Sequence, residues 1–355
     1  ISDINIIVST GSGTGLASAV WEQLVKPIFM RTGLSEDRYT VHETTSAESV
    51  AQLAQSVILP IANDGRQQLV VLLSGDGGVV DLVNTLVTAS PTVGYRKPTI
   101  ALLPLGTGNA LASSAVVAND ETLGLRTLLC GLPRQLPLFR ATFSPGAKLL
   151  VNEGREEQPL QGVYHGSPAT YGAVVCSWGL HATLVADSDT AEYRKFGAER
   201  FKMAANESLF PAGESMPHAY KGQVSTLRTG EKAEWERVAR SEHGYILATL
   251  VSNLEAAFTI SPSSRPLDGQ LRLVHFAHVS GKEAMEIMME AYQAGKHVEK
   301  ARVGYEEIEA VKIEFYEEEG RWRRVCVDGK IVRVEKDGWV EVRKETENAV
   351  VDLVA

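Results

Sequence analysis

Three times within its N-terminal third, this chain runs a strand-length apolar segment into a glycine-rich turn and then into a helical pattern. Ile4–Ser9 leads into Thr10–Gly15, Leu69–Leu73 into Ser74–Gly78, and Thr99–Leu103 into Pro104–Asn109. The helical patterns that follow place Ala17, Val20, Leu24 and Val25 on one face, then span Val79–Ala89 and Ala110–Ala115. Between the first and second turns, Tyr39–Glu43 alternates like a strand. A helix carrying Val50, Leu53, Ala54 and Val57 comes next, with Thr45 or Ser46 placed to cap it. Uninterrupted apolar strands are buried on both faces, as in a parallel sheet. Strand and helix in strict alternation predict such a sheet with helices on both sides. The glycine-rich turns then lie at the carboxyl ends of the strands, the edge at which open α/β sheets bind ligands.

From about Leu136 the pattern changes to short β-like runs: Leu136–Ala141, Leu149–Val151, Ala173–Trp178, Ile246–Ser252, Gln270–Val274, Ala310–Phe315, Arg324–Val327 and Trp339–Val342. Helical stretches interrupt them near Glu192–Ala205 and Lys282–Ala294. With 355 residues, two domains are expected. The reading is a doubly wound α/β domain over residues 1–135, then a β-rich sandwich or layered sheet over 136–345, with a loop insertion near 206–241 and a peripheral tail over 346–355. The net charge of -9 without a basic block argues against a nucleic-acid partner and against a polybasic membrane anchor. No apolar run approaches the roughly 20 residues of a membrane span. Cys130, Cys176 and Cys326 have no metal spacing and read as small buried apolar residues in a reducing compartment. Beginning at Ile1, the sequence reads as a piece of a longer chain.

The sharpest chemical feature is Ser74-Gly75-Asp76-Gly77-Gly78. Glycines let backbone approach a ligand closely, and amides at a helix start favour phosphate oxygens. An acid within such a loop repels phosphate, so Asp76 makes sense if it works on a hydroxyl or through a metal; otherwise it is a solvated turn residue. In Pro104-Leu105-Gly106-Thr107-Gly108-Asn109, Thr107 and Asn109 supply polar side chains. Asn109 reads equally as a helix cap. Ser9-Thr10-Gly11-Ser12-Gly13-Thr14-Gly15 lacks the lysine of a P-loop and the spacing of a dinucleotide fingerprint.

Together these segments resemble the diacylglycerol kinase catalytic-domain superfamily, and most closely its sphingosine kinases. Ser74–Asp81 resembles GGDGTxxE, and Pro104–Asn109 resembles P-x-G-[ST]-G-N. Gly179-Leu180-His181-Ala182 through Tyr193–Phe201 is similar to the segment G-[FL]-x-A…D-x-[DE]…R-x-x-G-x-x-R-[FY]. Val327-Asp328-Gly329 is similar to the late V-D-G-[ED] motif. The resemblance implies Mg²⁺ and ATP as cofactors, a lipid substrate, and an active site in the cleft between the domains. Asp76 matches the catalytic acid. Ser9, Thr10, Gly11, Ser12, Gly13, Thr44 (or Thr45), Gly75, Gly77, Gly78, Gly106, Thr107, Gly108 and Asn109 match the nucleotide side, although the first loop lacks the usual Asn-Pro and basic residue. Arg194 and Arg200 match arginines that reach ATP phosphates from the second domain. Asp328 matches an acid near Mg-ATP, and Asp81, where Glu is usual, a further metal candidate. Lys330 departs from an acidic position, and Asp328-Gly329 is also a strong hairpin turn pair.

For the substrate, Asp187 or Asp189 matches an acid that meets a sphingoid ammonium, or is a plain loop carboxylate. The segment is two residues longer than the family pattern. Met285, Met288 and Met289 suit an acyl-chain pocket or an ordinary core stripe. The leading expectation is phosphorylation of a sphingoid base by a cytoplasmic protein that meets a membrane surface transiently during turnover. The alternatives are a kinase for diacylglycerol, ceramide or another neutral lipid, an NAD kinase, and an inactive lipid- or nucleotide-binding homologue.

Overall fold

The computed structural model describes residues 3–13, 15–89, 91–116, 122–212, 216–230 and 234–355. The chain forms two compact units. One contains Ile1–Pro137, Leu254–Ala256 and Thr346–Ala355; the other contains Leu138–Asn253 and Ala257–Glu345.

In the first unit, β1 (Asp3–Val8), β2 (Thr40–Glu43), β3 (Gln68–Ser74) and β4 (Thr99–Pro104) run parallel in the order β2-β1-β3-β4. Their continuous apolar character has the cause expected from sequence: β3 and β4 are buried almost throughout, with helices packed on the sheet. The helix Asp76–Thr88 buries Val79, Val80, Leu82, Val83, Leu86 and Val87. It begins three residues earlier than its apolar stripe suggests, with Asp76 in the first turn, where a negative charge suits the helix dipole.

Two short strands complete this sheet. Asp352–Val354 lies parallel to β4 and antiparallel to β5 (Pro133–Gln135), pairing Leu353 with both Ile100 and Arg134. Residues read from sequence as a peripheral tail are therefore an interior strand. Val350, Val351, Leu353 and Val354 are buried, and the Tyr95 hydroxyl donates to the Val350 carbonyl at 2.7 Å. An apolar run this short carries little sequence signal by itself.

The second unit is a large antiparallel sheet system around a core that includes Phe139, Phe143, Trp178, Val224, Leu273 and Phe315. Most of the expected β-runs are strands. The segment read as a loop insertion differs: Tyr220–Arg228 is a nine-residue strand paired along most of its length with Val303–Phe315, and Trp235–Arg237 pairs beside it. Its buried residues include Gly222, Ser225 and Thr226, whose small or polar side chains dilute the alternation a strand normally displays. A helix at Leu180–Ser188 also went unread. Among the described residues, no helix is long and apolar enough to cross a membrane.

Candidate active site

At the carboxyl edge of the parallel sheet the three glycine-rich turns pack backbone against backbone. A Cβ on Gly106 would lie 2.6 Å from the Gly75 Cα, and one on Gly13, which has φ +54°, would lie 2.1 Å from the Leu105 carbonyl oxygen. Glycine is required at these positions because no side chain fits between the loops. Hydrogen bonds fasten the same contact. The Gly75 amide donates to Ser12 Oγ at 3.0 Å, and the Leu105 amide to the Ser74 carbonyl at 3.0 Å. Buried Thr44 anchors the first loop from β2: its hydroxyl accepts the Thr10 amide at 3.0 Å, and its carbonyl accepts the Thr10 hydroxyl at 2.7 Å. Thr14 of this loop lies outside the described residues.

Asp76 ties the second loop to the third. Its Oδ2 accepts the Ala110 amide at 2.6 Å and its Oδ1 the Leu111 amide at 3.1 Å. Burial raises its pKa to about 6, against the lowering effect of these two amides. Each oxygen keeps room for another donor, because an ionised carboxylate offers about four acceptor sites. The result is a positioned carboxylate whose proton affinity lies close to neutrality, the property wanted in a general base.

The other candidates of this unit divide into braces and open positions. Asn109 has φ 53° and turns its side chain onto Gly106, accepting the Gly106 amide at 2.8 Å and donating to the Gly106 carbonyl at 2.9 Å. It holds the turn, close to the capping reading. A Cβ on Gly78 would meet Ser74 Oγ at 2.6 Å, so Gly78 serves helix packing. At Gly11 and Gly77 a Cβ would meet nothing within 4 Å, so their loops have open space beside them. Thr107 and Gly108 are half-buried. Asp81 follows one turn after Gly77 on the helix and is half-buried.

In the β-rich unit the candidate acids are already engaged. Asp189 receives Arg194 through two bonds, Nε to Oδ1 and Nη2 to Oδ2, both 3.0 Å, and Arg200 Nη1 lies 3.5 Å from the same Oδ1. Hydrogen bonding to Asp189 raises the Arg194 pKa, while burial lowers that of Arg200. Asp187 sits between Arg321 at 2.9 Å and Arg324 at 2.8 Å. Each carboxylate is thus flanked by two guanidinium groups. This arrangement leaves an arginine-rich cluster suited to phosphate and offers no unpaired acid for an ammonium. Arg321 and Arg324 were missed in the sequence; the run Arg321-Trp322-Arg323-Arg324 was the available signal.

Asp328 performs a structural task. It occupies the Asp328-Gly329 hairpin turn with φ 47° and accepts the amides of Ala173 at 2.6 Å, Val174 at 3.1 Å and Val175 at 2.6 Å. With both oxygens committed to three amides, it fits poorly as a magnesium ligand. Among the described residues no group of three His, Cys, Asp or Glu could hold a metal ion. On the helix Gly281–Ala291, Ala284, Ile287 and Ala291 carry the buried face. Met285 and Met288 are half-buried and Met289 is exposed. A capping box starts this helix, with Ser280 Oγ accepting the Glu283 amide at 3.3 Å and donating to Glu283 Oε2 at 3.1 Å.

Comparison with known proteins gives concordant matches. Residues 3–141 match the diacylglycerol kinase catalytic domain. Human sphingosine kinase 1 is 23% identical over 331 residues, covering 83% of this chain and 77% of that protein. Sphingoid long-chain bases kinase 1 of Arabidopsis thaliana is 30% identical over 127 residues, 36% of this chain and only 16% of that protein. A crystal structure of a putative diacylglycerol kinase from Bacillus anthracis str. Sterne superposes with a TM-score of 0.63 at 13% identity, covering 99% of this chain and 97% of that one, a likeness of fold.

Proposed function

We propose that this chain is a lipid kinase of the diacylglycerol kinase and sphingosine kinase family and transfers the γ-phosphate of ATP to the primary hydroxyl of a sphingoid long-chain base, a reading supported by the match of residues 3–141 and by the likeness to human sphingosine kinase 1. The observation that carries the catalytic part is Asp76: a carboxylate of pKa about 6, fixed by the Ala110 and Leu111 amides among three interlocked glycine-rich loops. In this reading the open amides near Gly11 and Gly77 lie along the nucleotide phosphates, and Asp76 accepts the proton of the attacking hydroxyl. Arg194 and Arg200, braced by Asp189, neutralise phosphate charge. Bound Mg²⁺ would supply further charge neutralisation at the phosphates, and Asp81 is the residue that would hold it. Contact with a membrane surface is transient, during lipid uptake.

A kinase for diacylglycerol or ceramide is the second reading, favoured by the pairing of Asp187 and Asp189 with arginines. The test is phosphate transfer from Mg-ATP to micellar sphingosine, dihydrosphingosine, diacylglycerol and ceramide, with Asp76→Asn as control. Transfer to the amine-bearing bases alone, abolished by Asp76→Asn, supports the sphingoid reading. Transfer to diacylglycerol or ceramide selects the second reading. ATP binding with no lipid turned over would leave an inactive binding homologue.

A further inference from the structure

The first glycine-rich loop carries no cation from Ser9 to Gly15, so what it offers a phosphate group is amides and hydroxyls. The Thr10 hydroxyl is spent, donating to the Thr44 carbonyl at 2.7 Å. Ser12 differs. Its backbone is fixed within the loop, the amide donating to the Ser9 carbonyl at 3.1 Å and the carbonyl accepting the Gly15 amide at 2.9 Å. Its side-chain oxygen accepts the Gly75 amide at 3.0 Å, a bond that crosses from the first loop to the second and ends on the residue before Asp76.

A serine hydroxyl has one proton to give and two lone pairs to offer. The Gly75 amide occupies one lone pair, and among the described residues none accepts the proton. Ser12 is half-buried, and a Cβ on its neighbour Gly11 or on Gly77 would meet nothing within 4 Å, so both loops are open close to this bond. Gly75 itself has little freedom: a Cβ there would lie 2.8 Å from the Gly106 Cα. Asp76 follows directly, its carboxylate tied to the Ala110 and Leu111 amides. Whatever tightens or loosens the Gly75 amide therefore acts on the carboxylate from one residue away.

We propose that Ser12 is a positioning residue that links the nucleotide to Asp76: its hydroxyl donates to a phosphate oxygen of ATP while the same oxygen holds the Gly75 amide. This rests on the lipid kinase reading and deepens it, naming the group through which bound nucleotide acts on the general base. A hydroxyl that donates to an anion becomes a stronger acceptor, because hydrogen bonds in a chain polarise one another. ATP thus tightens the bond between Ser12 and Gly75, and the second loop is held most firmly when the phosphates are in place. An error in the placement of a reacting group is costly in rate, so the effect belongs to kcat as well as to ATP affinity.

The test uses the whole chain and its Ser12→Ala and Ser12→Thr variants. Hydrogen exchange of the Gly75 amide, followed by NMR with and without ATP and with no lipid present, reads the link directly. ATP should slow this exchange at least about fivefold in the wild-type chain and in Ser12→Thr, which keeps the hydroxyl, and should leave it unchanged in Ser12→Ala. Lipid phosphorylation gives the second reading: Ser12→Ala should lower kcat at least about tenfold at saturating ATP and raise the KM for ATP, with the KM for lipid unmoved. Slowing of Gly75 exchange by ATP that persists in Ser12→Ala would overturn the proposal. So would a wild-type Gly75 amide indifferent to bound ATP, or a Ser12→Ala defect confined to the KM for ATP, which would make Ser12 a nucleotide contact alone. A chain that binds no ATP overturns this inference together with the kinase reading. One that binds ATP and shows the Ser12-dependent slowing, yet phosphorylates no lipid, fails the lipid kinase reading and leaves the link standing.

Discussion

Replacing Gly106 with alanine tests whether contact between the loops sets the geometry of Asp76. The new Cβ would lie 2.6 Å from the Gly75 Cα and 2.8 Å from Asn109 Oδ1. Carbon atoms rest about 3.5–4.0 Å apart, so the second and third loops must separate by roughly 1 Å. Gly106 is outside the left-handed region, so the cost is one of contact and not of backbone conformation. Overpacking of this kind costs about 1–3 kcal/mol, and disturbing the paired bonds between Asn109 and Gly106 adds about 1 kcal/mol. The same movement draws the Ala110 and Leu111 amides away from Asp76. Those amides lower its pKa, so their retreat should move the acidic limb of the pH–rate profile upward from about 6. Displacement by about 1 Å can cost about 100-fold in rate. Urea unfolding and the pH dependence of kcat/KM for lipid phosphorylation measure both effects. A Gly106→Ala protein of wild-type stability with an unmoved acidic limb would refute the idea that loop contact positions Asp76.

Gly77→Ala is the matching control: with nothing within 4 Å of the added carbon, urea stability should hold within about 0.5 kcal/mol while ATP affinity falls, as read by calorimetry. Asp76→Asn should flatten one part of the pH–stability curve. The folded pKa of Asp76 is raised from 3.8 to about 6, so the native state binds more protons in that window and its stability falls as pH rises through it, by at most on the order of 3 kcal/mol. His181, half-buried and with its pKa lowered to about 4 by desolvation of the imidazole, acts in the opposite sense, its contribution being present above pH 6.5 and lost as pH falls toward 4; comparing wild type with Asp76→Asn by denaturation at pH 4 to 7 isolates the carboxylate. Asp328→Ala should cost about 3 kcal/mol or more in urea unfolding, because three amides lose their acceptor. Asp189→Ala should raise the KM for ATP several-fold more than that for lipid, as expected of a carboxylate that braces arginines; a selective rise in lipid KM would contradict that role.

What the sequence displayed, and what it hid, follows from the range of the interactions involved. The parallel sheet was legible because buried strands such as Leu69–Leu73 are apolar throughout and each ends in a glycine cluster that only a turn explains. Gly75, Asp76 and Gly106 stood out for the same local reason. That Gly75 and Gly106 are needed against each other was invisible, since their contact spans two loops. The strand Asp352–Val354 was hidden because its partners Thr99 and Ile100 lie about 250 residues away in sequence and its apolar run is short. Tyr220–Arg228 was hidden because glycine, glutamine, serine and threonine interrupt its alternation.

The acids show the limit most clearly. In sequence, Asp187 and Asp189 are two carboxylates two residues apart in one segment, equivalent as ammonium ligands. Their availability depends on Arg321 and Arg324, more than 130 residues downstream, and on Arg194 and Arg200, which the motif assigns to phosphate. Sequence spacing marks which residues carry charge and says nothing about which charges are already compensated. A carboxylate held by two guanidinium groups keeps them in place and has little attraction left for a third cation. Substrate choice in such a site therefore depends less on how many acids line it than on which acid the fold leaves uncompensated.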